Sequence, residues 1–190
     1  MAVVLSAQAT DTGVNKATPA LFALADTPEK MMAIGEEGLV ELIRTIGLFR
    51  TKAKNLMALS RVLVEQYGSE VPRDRIALEA LPGVGRKTAN VVLGHAFDVP
   101  GLPVDRHVLR VTNRLGLAHG DDPVAVEKQL TGLIPKDRWT VASDTFILHG
   151  RRICRPKPLC DRCAVKELCK YFQRLGPKRT KTVQKKSRTA

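Results

Sequence analysis

Residues 81–90 have the sequence Leu81-Pro82-Gly83-Val84-Gly85-Arg86-Lys87-Thr88-Ala89-Asn90, and the organisation of the chain follows from this stretch. Apolar residues recur at helical spacing before it, from Asp74 to Leu81, and after it, from Ala89 to Ala96. Between these two predicted helices a proline and two glycines enforce a tight turn, because glycine adopts positive φ without a Cβ clash. The pattern predicts a helix-hairpin-helix over about residues 74–96.

The start of the second predicted helix is a candidate anion site. Its first N–H groups point outward, and together with the helix dipole such groups attract a phosphate. We therefore expect Leu81, Gly83, Val84, Gly85 and Arg86 to contact a nucleic-acid backbone without selecting a base sequence. The alternative is an ordinary corner between two helices with a glycine turn.

The rest of the chain shows helical periodicity and no convincing strand pattern. We predict helix starts at Asp11, Thr27, Asp105 and Asp122, with Pro19 interrupting or kinking the first of these helices. The fold class is therefore all-α, in two helical lobes. The linker at residues 98–103 separates domains at 1–100 and 101–172, and a basic tail at 173–190 is expected to be flexible.

The net charge of +12 is concentrated at one end of the chain. Residues 151–190 carry 14 of the 31 Lys and Arg residues but only two acids, Asp161 and Glu167, whereas acids and bases balance over the first 150 residues. This excess indicates a polyanionic partner, since Lys and Arg displace the counterions of DNA. A solvated tail without a partner is the alternative for residues 178–188.

The four cysteines, Cys154, Cys160, Cys163 and Cys169, fall within 16 residues. Zinc sites usually use two separated Cys-x-x-Cys pairs, whereas here one close pair has a further cysteine on either side. This compact spacing favours a [4Fe–4S] cluster, with zinc or thiols without metal as alternatives. Two prolines stiffen the first loop, and we expect its Arg155 and Lys157 to contact DNA.

Together these motifs resemble those of the endonuclease III family, bifunctional DNA glycosylases of the helix-hairpin-helix superfamily. The resemblance runs from Met1 to about Phe172 and includes Leu5–Asp11, Ile46-Gly47-Leu48, the hairpin, Val104-Asp105 with His107, and the cysteines. It implies a six-helix barrel-like domain over 1–100 and a helical iron–sulfur cluster domain over 101–172. It also implies removal of oxidised pyrimidines from double-stranded DNA and cleavage at the abasic site.

The same resemblance implies that Lys87 is the nucleophile and Asp105 the essential carboxylate. A free amine has to attack the sugar C1′, although an ordinary lysine is protonated near neutrality. The dipole at the start of the helix disfavours the charged amine, and Asp105 can help to deprotonate it. Attack expels the base and leaves a Schiff base, which allows β-elimination of the 3′ phosphate. The alternatives are a solvated lysine and a plain helix cap.

A target base inside the duplex has to be flipped out of the stack. The resemblance implies that Gln8 fills the gap and that Leu48 wedges between bases, which suits an amide and an apolar tip. His107 is expected near the pocket, with a core or capping role as the alternative.

Three features depart from the family pattern. Five residues instead of the usual six separate Cys154 from Cys160, and Arg106 replaces a threonine beside Asp105. The chain also opens inside a predicted helix, so that the helix which begins the family pattern is expected to be missing from the second lobe. We therefore expect an uncovered apolar face there and low stability.

The sequence contains neither a signal peptide nor an apolar run long enough to cross a bilayer. We expect a cytoplasmic, nucleoid-associated protein of bacterial type that acts as a monomer and has no membrane contact. A non-catalytic DNA-binding module and a mismatch-specific glycosylase are the competing functions.

Overall fold

The computed structural model describes residues 1–176, which form ten α-helices and no strand. The predicted all-α fold is confirmed. The chain divides into two compact units between Pro103 and Val104, three residues beyond the predicted boundary. The linker ends later because Gly101 packs against the backbone of Asn90 in the first unit. Within residues 1–176 no helix has both the length and the apolar character needed to cross a membrane. Most of the predicted basic tail, residues 177–190, lies outside the described residues.

The first unit contains six helices, whose buried faces share one hydrophobic core. The long helix α4 packs along α3, and the short helix α1 contacts α2, α4 and α6. This packing places the beginning of the chain beside the helix that follows the hairpin. The six helices are α1 (Ala2–Ser6), α2 (Asp11–Leu24), α3 (Pro28–Ile43), α4 (Phe49–Tyr67), α5 (Arg75–Glu79) and α6 (Arg86–Ala96).

Local sequence signals explain most of these helix ends, with two corrections. The Thr27 hydroxyl accepts a hydrogen bond from the Lys30 amide, as expected for a helix that starts with Pro28. The cap of α2, however, is Thr10 and not Asp11, because the Thr10 hydroxyl accepts from the Gly13 amide. The helix α2 also continues through Pro19 to Leu24 instead of stopping there.

The hairpin region holds a third correction. Asp74 caps α5 by accepting a hydrogen bond from the Ala77 amide at 2.9 Å, and Leu78 and Leu81 are buried. Ile76, expected on the same apolar face, is 77% exposed. The five-residue α5 is too short to bury more than one side of a single turn, and Ile76 lies on the other side.

The second unit contains four helices around a smaller core. Asp105, Asp122 and Gly116 stand at the helix ends where the sequence predicts them. The last helix continues to Leu175, beyond the predicted end of the domain at residue 172. The helices are α7 (Arg106–Leu115), α8 (Pro123–Leu133), α9 (Trp139–Arg152) and α10 (Lys170–Leu175), with 3-10 turns at Lys136–Arg138, Cys160–Arg162 and Lys166–Leu168.

The close approach of Gly101 to α6 gives a stability prediction. A Cβ atom added at Gly101 would lie 2.7 Å from the carbonyl oxygen of Asn90, so that backbone would have to move. We expect Gly101→Ala to lower the free energy of unfolding by about 1–3 kcal/mol in urea titrations. The control is Gly132→Ala within α8, where a Cβ meets nothing within 4 Å. Helix propensity should make that variant as stable as the parent or more so. Equal stability of the two variants would contradict the packing described here.

Candidate nucleic-acid interface and cysteine site

The hairpin between α5 and α6 is a tight turn with one face packed and the other open. The Val84 amide donates to the Leu81 carbonyl at 3.1 Å, and Gly83 has a φ of 75°. A Cβ at Gly83 would lie 3.0 Å from the Asn55 side-chain nitrogen, whereas a Cβ at Gly85 would meet nothing within 4 Å. Gly83 is therefore required where the turn packs against α4, and Gly85 leaves the start of α6 accessible.

Lys87 lies in the first turn of α6 and is exposed. The first N–H groups of a helix have no acceptor within the helix itself, and they carry the positive end of its dipole. A phosphate that approached the open side of Gly85 would meet these groups, and an amine at position 87 would stand beside it. The expected geometry for backbone contact is therefore present in the first unit.

Gln8 and Leu48 are brought together in the same unit. Both are exposed residues with left-handed backbone, at φ values of 51° and 59°. Their loops adjoin, since a Cβ at Gly47 would lie 3.8 Å from the Gln8 carbonyl oxygen. Left-handed backbone costs non-glycine residues free energy and concentrates at functional sites. Two adjacent strained residues, one of them a leucine that is 57% exposed, are what an inserting pair requires.

Two further residues beside the hairpin were missed by the sequence analysis. Asn55 of α4 faces Gly83, as described above, and Lys52, one turn earlier, is only 5% exposed. The amine of Lys52 has no hydrogen-bond partner among the described residues, and burial lowers the pKa of this amine. Nothing in the sequence distinguishes Lys52 from the exposed Lys54, because burial depends on how α4 packs.

Asp105 of the second unit caps α7. One of its carboxylate oxygens accepts hydrogen bonds from the His107 amide at 2.7 Å and from the Val108 amide at 2.9 Å. These bonds fix the orientation of the carboxylate. The neighbouring Arg106 is exposed.

His107 is held inside the second unit. Its Nδ1 atom lies 3.1 Å from the Arg110 guanidinium, and its Cβ packs against Gly150 of α9. Burial is the main cause that lowers the pKa of His107, although the nearby Asp105 acts in the opposite direction. The imidazole is therefore neutral at neutral pH and accepts the Arg110 hydrogen bond. This favours the structural alternative for His107 within the described residues.

The four cysteines line one cavity in the second unit. Cys154 follows α9, Cys160 and Cys163 bracket a 3-10 turn, and Cys169 precedes α10. Burial and then the proximity of the other three thiols raise the pKa of Cys160, which confirms that the four sulfurs share one environment. Among residues 1–176 no three or more His, Cys, Asp or Glu side chains are arranged to hold a metal ion.

The chemistry of the donors nevertheless suits a metal group. None of the four cysteines forms a disulfide, and a set of four thiols selects zinc or an iron–sulfur cluster. The Nε2 atom of His149 lies 3.7 Å from the sulfur of Cys163, and burial lowers the pKa of this imidazole. Arg155 and Lys157 are exposed on the loop between the first two cysteines.

Comparison with known proteins places these features in one family. The profile of the HhH-GPD superfamily of base excision DNA repair proteins matches residues 1–136. Endonuclease III of Rickettsia conorii is 55% identical over 173 residues, which cover 90% of this chain and 82% of that protein. Endonuclease III of Escherichia coli K12 is 48% identical over 176 residues, covering 92% and 83%.

Solved structures agree with the sequence comparison. A trapped covalent intermediate of endonuclease III with DNA has a TM-score of 0.87 at 46% identity, covering 92% of this chain and 83% of that chain. A thermostable thymine-DNA glycosylase has a TM-score of 0.82 at 28% identity, covering 91% and 82%. The chain therefore belongs to the endonuclease III family, within the HhH-GPD superfamily of base excision DNA repair proteins.

Proposed function

We propose that the protein is a bifunctional DNA glycosylase and abasic-site lyase that removes oxidised pyrimidines from double-stranded DNA and also acts on abasic sites. The observation that carries this proposal is the exposed Lys87 at the open start of α6, directly behind the turn at Gly83 and Gly85. A non-catalytic DNA-binding module would need the same hairpin but no amine at this position. We further propose that it acts as a monomer in the bacterial cytoplasm, associated with the nucleoid.

In the proposed mechanism the hairpin binds the sugar-phosphate backbone and Lys87 performs the chemistry. The uncharged amine of Lys87 attacks C1′ of the flipped nucleotide, forming a C–N bond as the bond to the base breaks. Loss of water or rearrangement of the opened sugar gives a Schiff base, and loss of a proton from C2′ expels the 3′ phosphate by β-elimination. The strand is thus cut on the 3′ side of the abasic site.

Asp105 supplies the carboxylate for this reaction. The two amides of α7 that bond to it keep it oriented and ionised, so that it can accept the proton of the attacking amine or stabilise positive charge on the sugar. Because the interior of a DNA-covered site has a low dielectric constant, one fixed carboxylate there has a large effect.

Gln8 and Leu48 keep the flipped state open. The amide of Gln8 can hydrogen-bond to the orphaned base, and the exposed side chain of Leu48 can enter a base step. Their left-handed backbones support this role, since strain of this kind persists where a loop has to project a particular side chain.

We also propose that Cys154, Cys160, Cys163 and Cys169 hold a [4Fe–4S] cluster. When bound, the cluster would supply a rigid link among four thiolates and no step of the reaction. The residues around it bind DNA: Arg155 and Lys157 stand on the surface of the first cysteine loop, where phosphates can reach them.

Removal of the proposed nucleophile tests the reaction directly. We expect Lys87→Gln to abolish the covalent adduct that borohydride traps on abasic-site DNA, and to lower strand cleavage by about three orders of magnitude or more. The matched control is Lys16→Gln, which removes the same charge from an exposed position on α2 and should trap normally. DNA binding without any trapped adduct in the parent protein would instead support the non-catalytic module.

Truncation of the proposed wedge tests the role of Leu48. We expect Leu48→Ala to weaken binding to a duplex with a lesion about tenfold, equivalent to ~1.4 kcal/mol, with little change in thermal stability. Leu24→Ala is the control, because Leu24 is 60% exposed at the end of α2. If both variants bind the lesion equally, Leu48 is an ordinary surface leucine.

Elemental analysis tests the cysteine site. We expect about four iron and four sulfide ions per chain, with a brown absorbance in the blue region of the visible spectrum. Cys154→Ser should lose most of this absorbance, because one of four ligands is removed. A colourless protein that contains one zinc ion per chain would overturn the cluster assignment.

A further inference from the structure

One side chain of the second unit connects α7 to the first cysteine loop. The guanidinium of Arg114, in the last turn of α7, donates to the carbonyl oxygen of Arg155 at 2.6 Å and to that of Pro156 at 2.9 Å. The same group donates to the sulfur of Cys154 at 3.4 Å. Three acceptors from three successive loop residues therefore converge on one planar cation.

The other side of this guanidinium is covered by an aromatic ring. Its central carbon lies 4.8 Å from the ring centroid of Tyr171 in α10, a cation–π contact. Arg114 and Tyr171 both line the cavity that contains the four cysteines. The plane of Arg114 is thus fixed by the ring as well as by its hydrogen bonds.

Arg110, one helical turn before Arg114, completes the contact with the loop. Its Nε atom donates to the carbonyl oxygen of Cys154 at 3.0 Å, and its terminal nitrogen donates to that of Gly150 at 3.1 Å. The carbonyls of residues 154, 155 and 156 are therefore all bound by arginines of α7. The loop at 154–159 has no regular secondary structure to satisfy these groups, so its shape depends on the two side chains.

We propose that Arg114 is a positioning residue that holds the first cysteine loop in the form that presents Arg155 and Lys157 to DNA, and that hydrogen-bonds to the Cys154 ligand. The part that concerns the ligand rests on the proposed cluster, whereas the part that concerns the loop does not. Fixing the loop by Arg114 also gives a physical account of how five residues, where the family pattern has six, retain a defined shape.

Lysine cannot replace Arg114 in this role. An ammonium group is a compact charge on a flexible stem, whereas the guanidinium fork reaches three acceptors in one plane and stacks on an aromatic ring. Arg114→Lys therefore keeps the net charge but loses the geometry. It separates loop positioning from the general attraction between a basic protein and DNA.

The test compares Arg114→Gln and Arg114→Lys with the parent protein, after circular dichroism has established equal helix content. The matched control is Arg138→Gln, which removes the same charge from the exposed 3-10 turn before α9. Amide hydrogen exchange of the peptide 153–163 is the primary measurement, because the Arg155 and Leu159 amides both bond to the Ile153 carbonyl. We expect at least about tenfold faster exchange in both Arg114 variants and no change in the control.

Two secondary measurements read the consequences of a released loop. Iron loss to a chelator should accelerate about tenfold or more in both Arg114 variants, as is usual when a partner of a metal ligand is removed. The salt dependence of DNA affinity should weaken by about one to two phosphate contacts in Arg114→Lys as well as in Arg114→Gln.

A second pair of variants approaches the same contact from α10. Tyr171→Leu removes the ring beneath Arg114, and Tyr171→Phe retains it. We expect faster loop exchange in Tyr171→Leu and parent-like exchange in Tyr171→Phe. If one Arg114 variant does not fold, this pair still decides the matter.

The failure of this proposal differs from failure of the proposed function. Unchanged exchange of peptide 153–163 in the Arg114 variants would overturn the positioning role even if the parent contains iron and cleaves DNA. A parent protein without iron, or without lyase activity, would overturn the proposed function, while faster loop exchange in the variants would still support Arg114 as the residue that shapes the loop.

Discussion

The first unit depends on the contact between Gly83 and Asn55. The turn at Gly83 has to approach α4 to a distance that no side chain permits, so the hairpin and α4 form one rigid element. The start of α4 carries Leu48, and the loop before it adjoins Gln8. The same packing therefore fixes the open start of α6 relative to the two residues that are proposed to hold a base outside the stack. Backbone grip and base extrusion become parts of one structure.

The second unit applies the same economy to the cysteines. The helix α7 begins at the carboxylate of Asp105 and ends at Arg114, whose guanidinium holds the first cysteine loop. One helix of ten residues thus links the proposed catalytic carboxylate to the loop that is proposed to bind phosphate. Buried histidines and a ring-stacked arginine surround these groups, so the unit has few ways to rearrange without breaking several contacts.

Local chemistry explains what could be predicted from the sequence. The caps at Thr27, Asp105 and Asp122 and the glycine end at Gly116 depend on neighbouring residues only, and they occur where they are expected. Ile76, Asn55, Lys52 and Arg114 were placed wrongly or missed, because exposure and partners at these positions depend on helices distant in the chain. Arg110 and Arg114 have the spacing of a solvated helix face, and only the structure places loop carbonyls against them. The roles of Lys87 and Asp105 came from the family resemblance and not from periodicity.

The account depends on an amine at position 87 that forms a covalent bond with DNA. Lys52 is the competing amine in this unit, since burial lowers its pKa, but its side chain is enclosed whereas Lys87 is exposed. Peptide mass spectrometry of the borohydride-trapped complex, after digestion of the DNA, decides between them. We predict that the mass of the reduced sugar fragment is found on Lys87. Its presence on any other residue of a fully active protein would contradict the account.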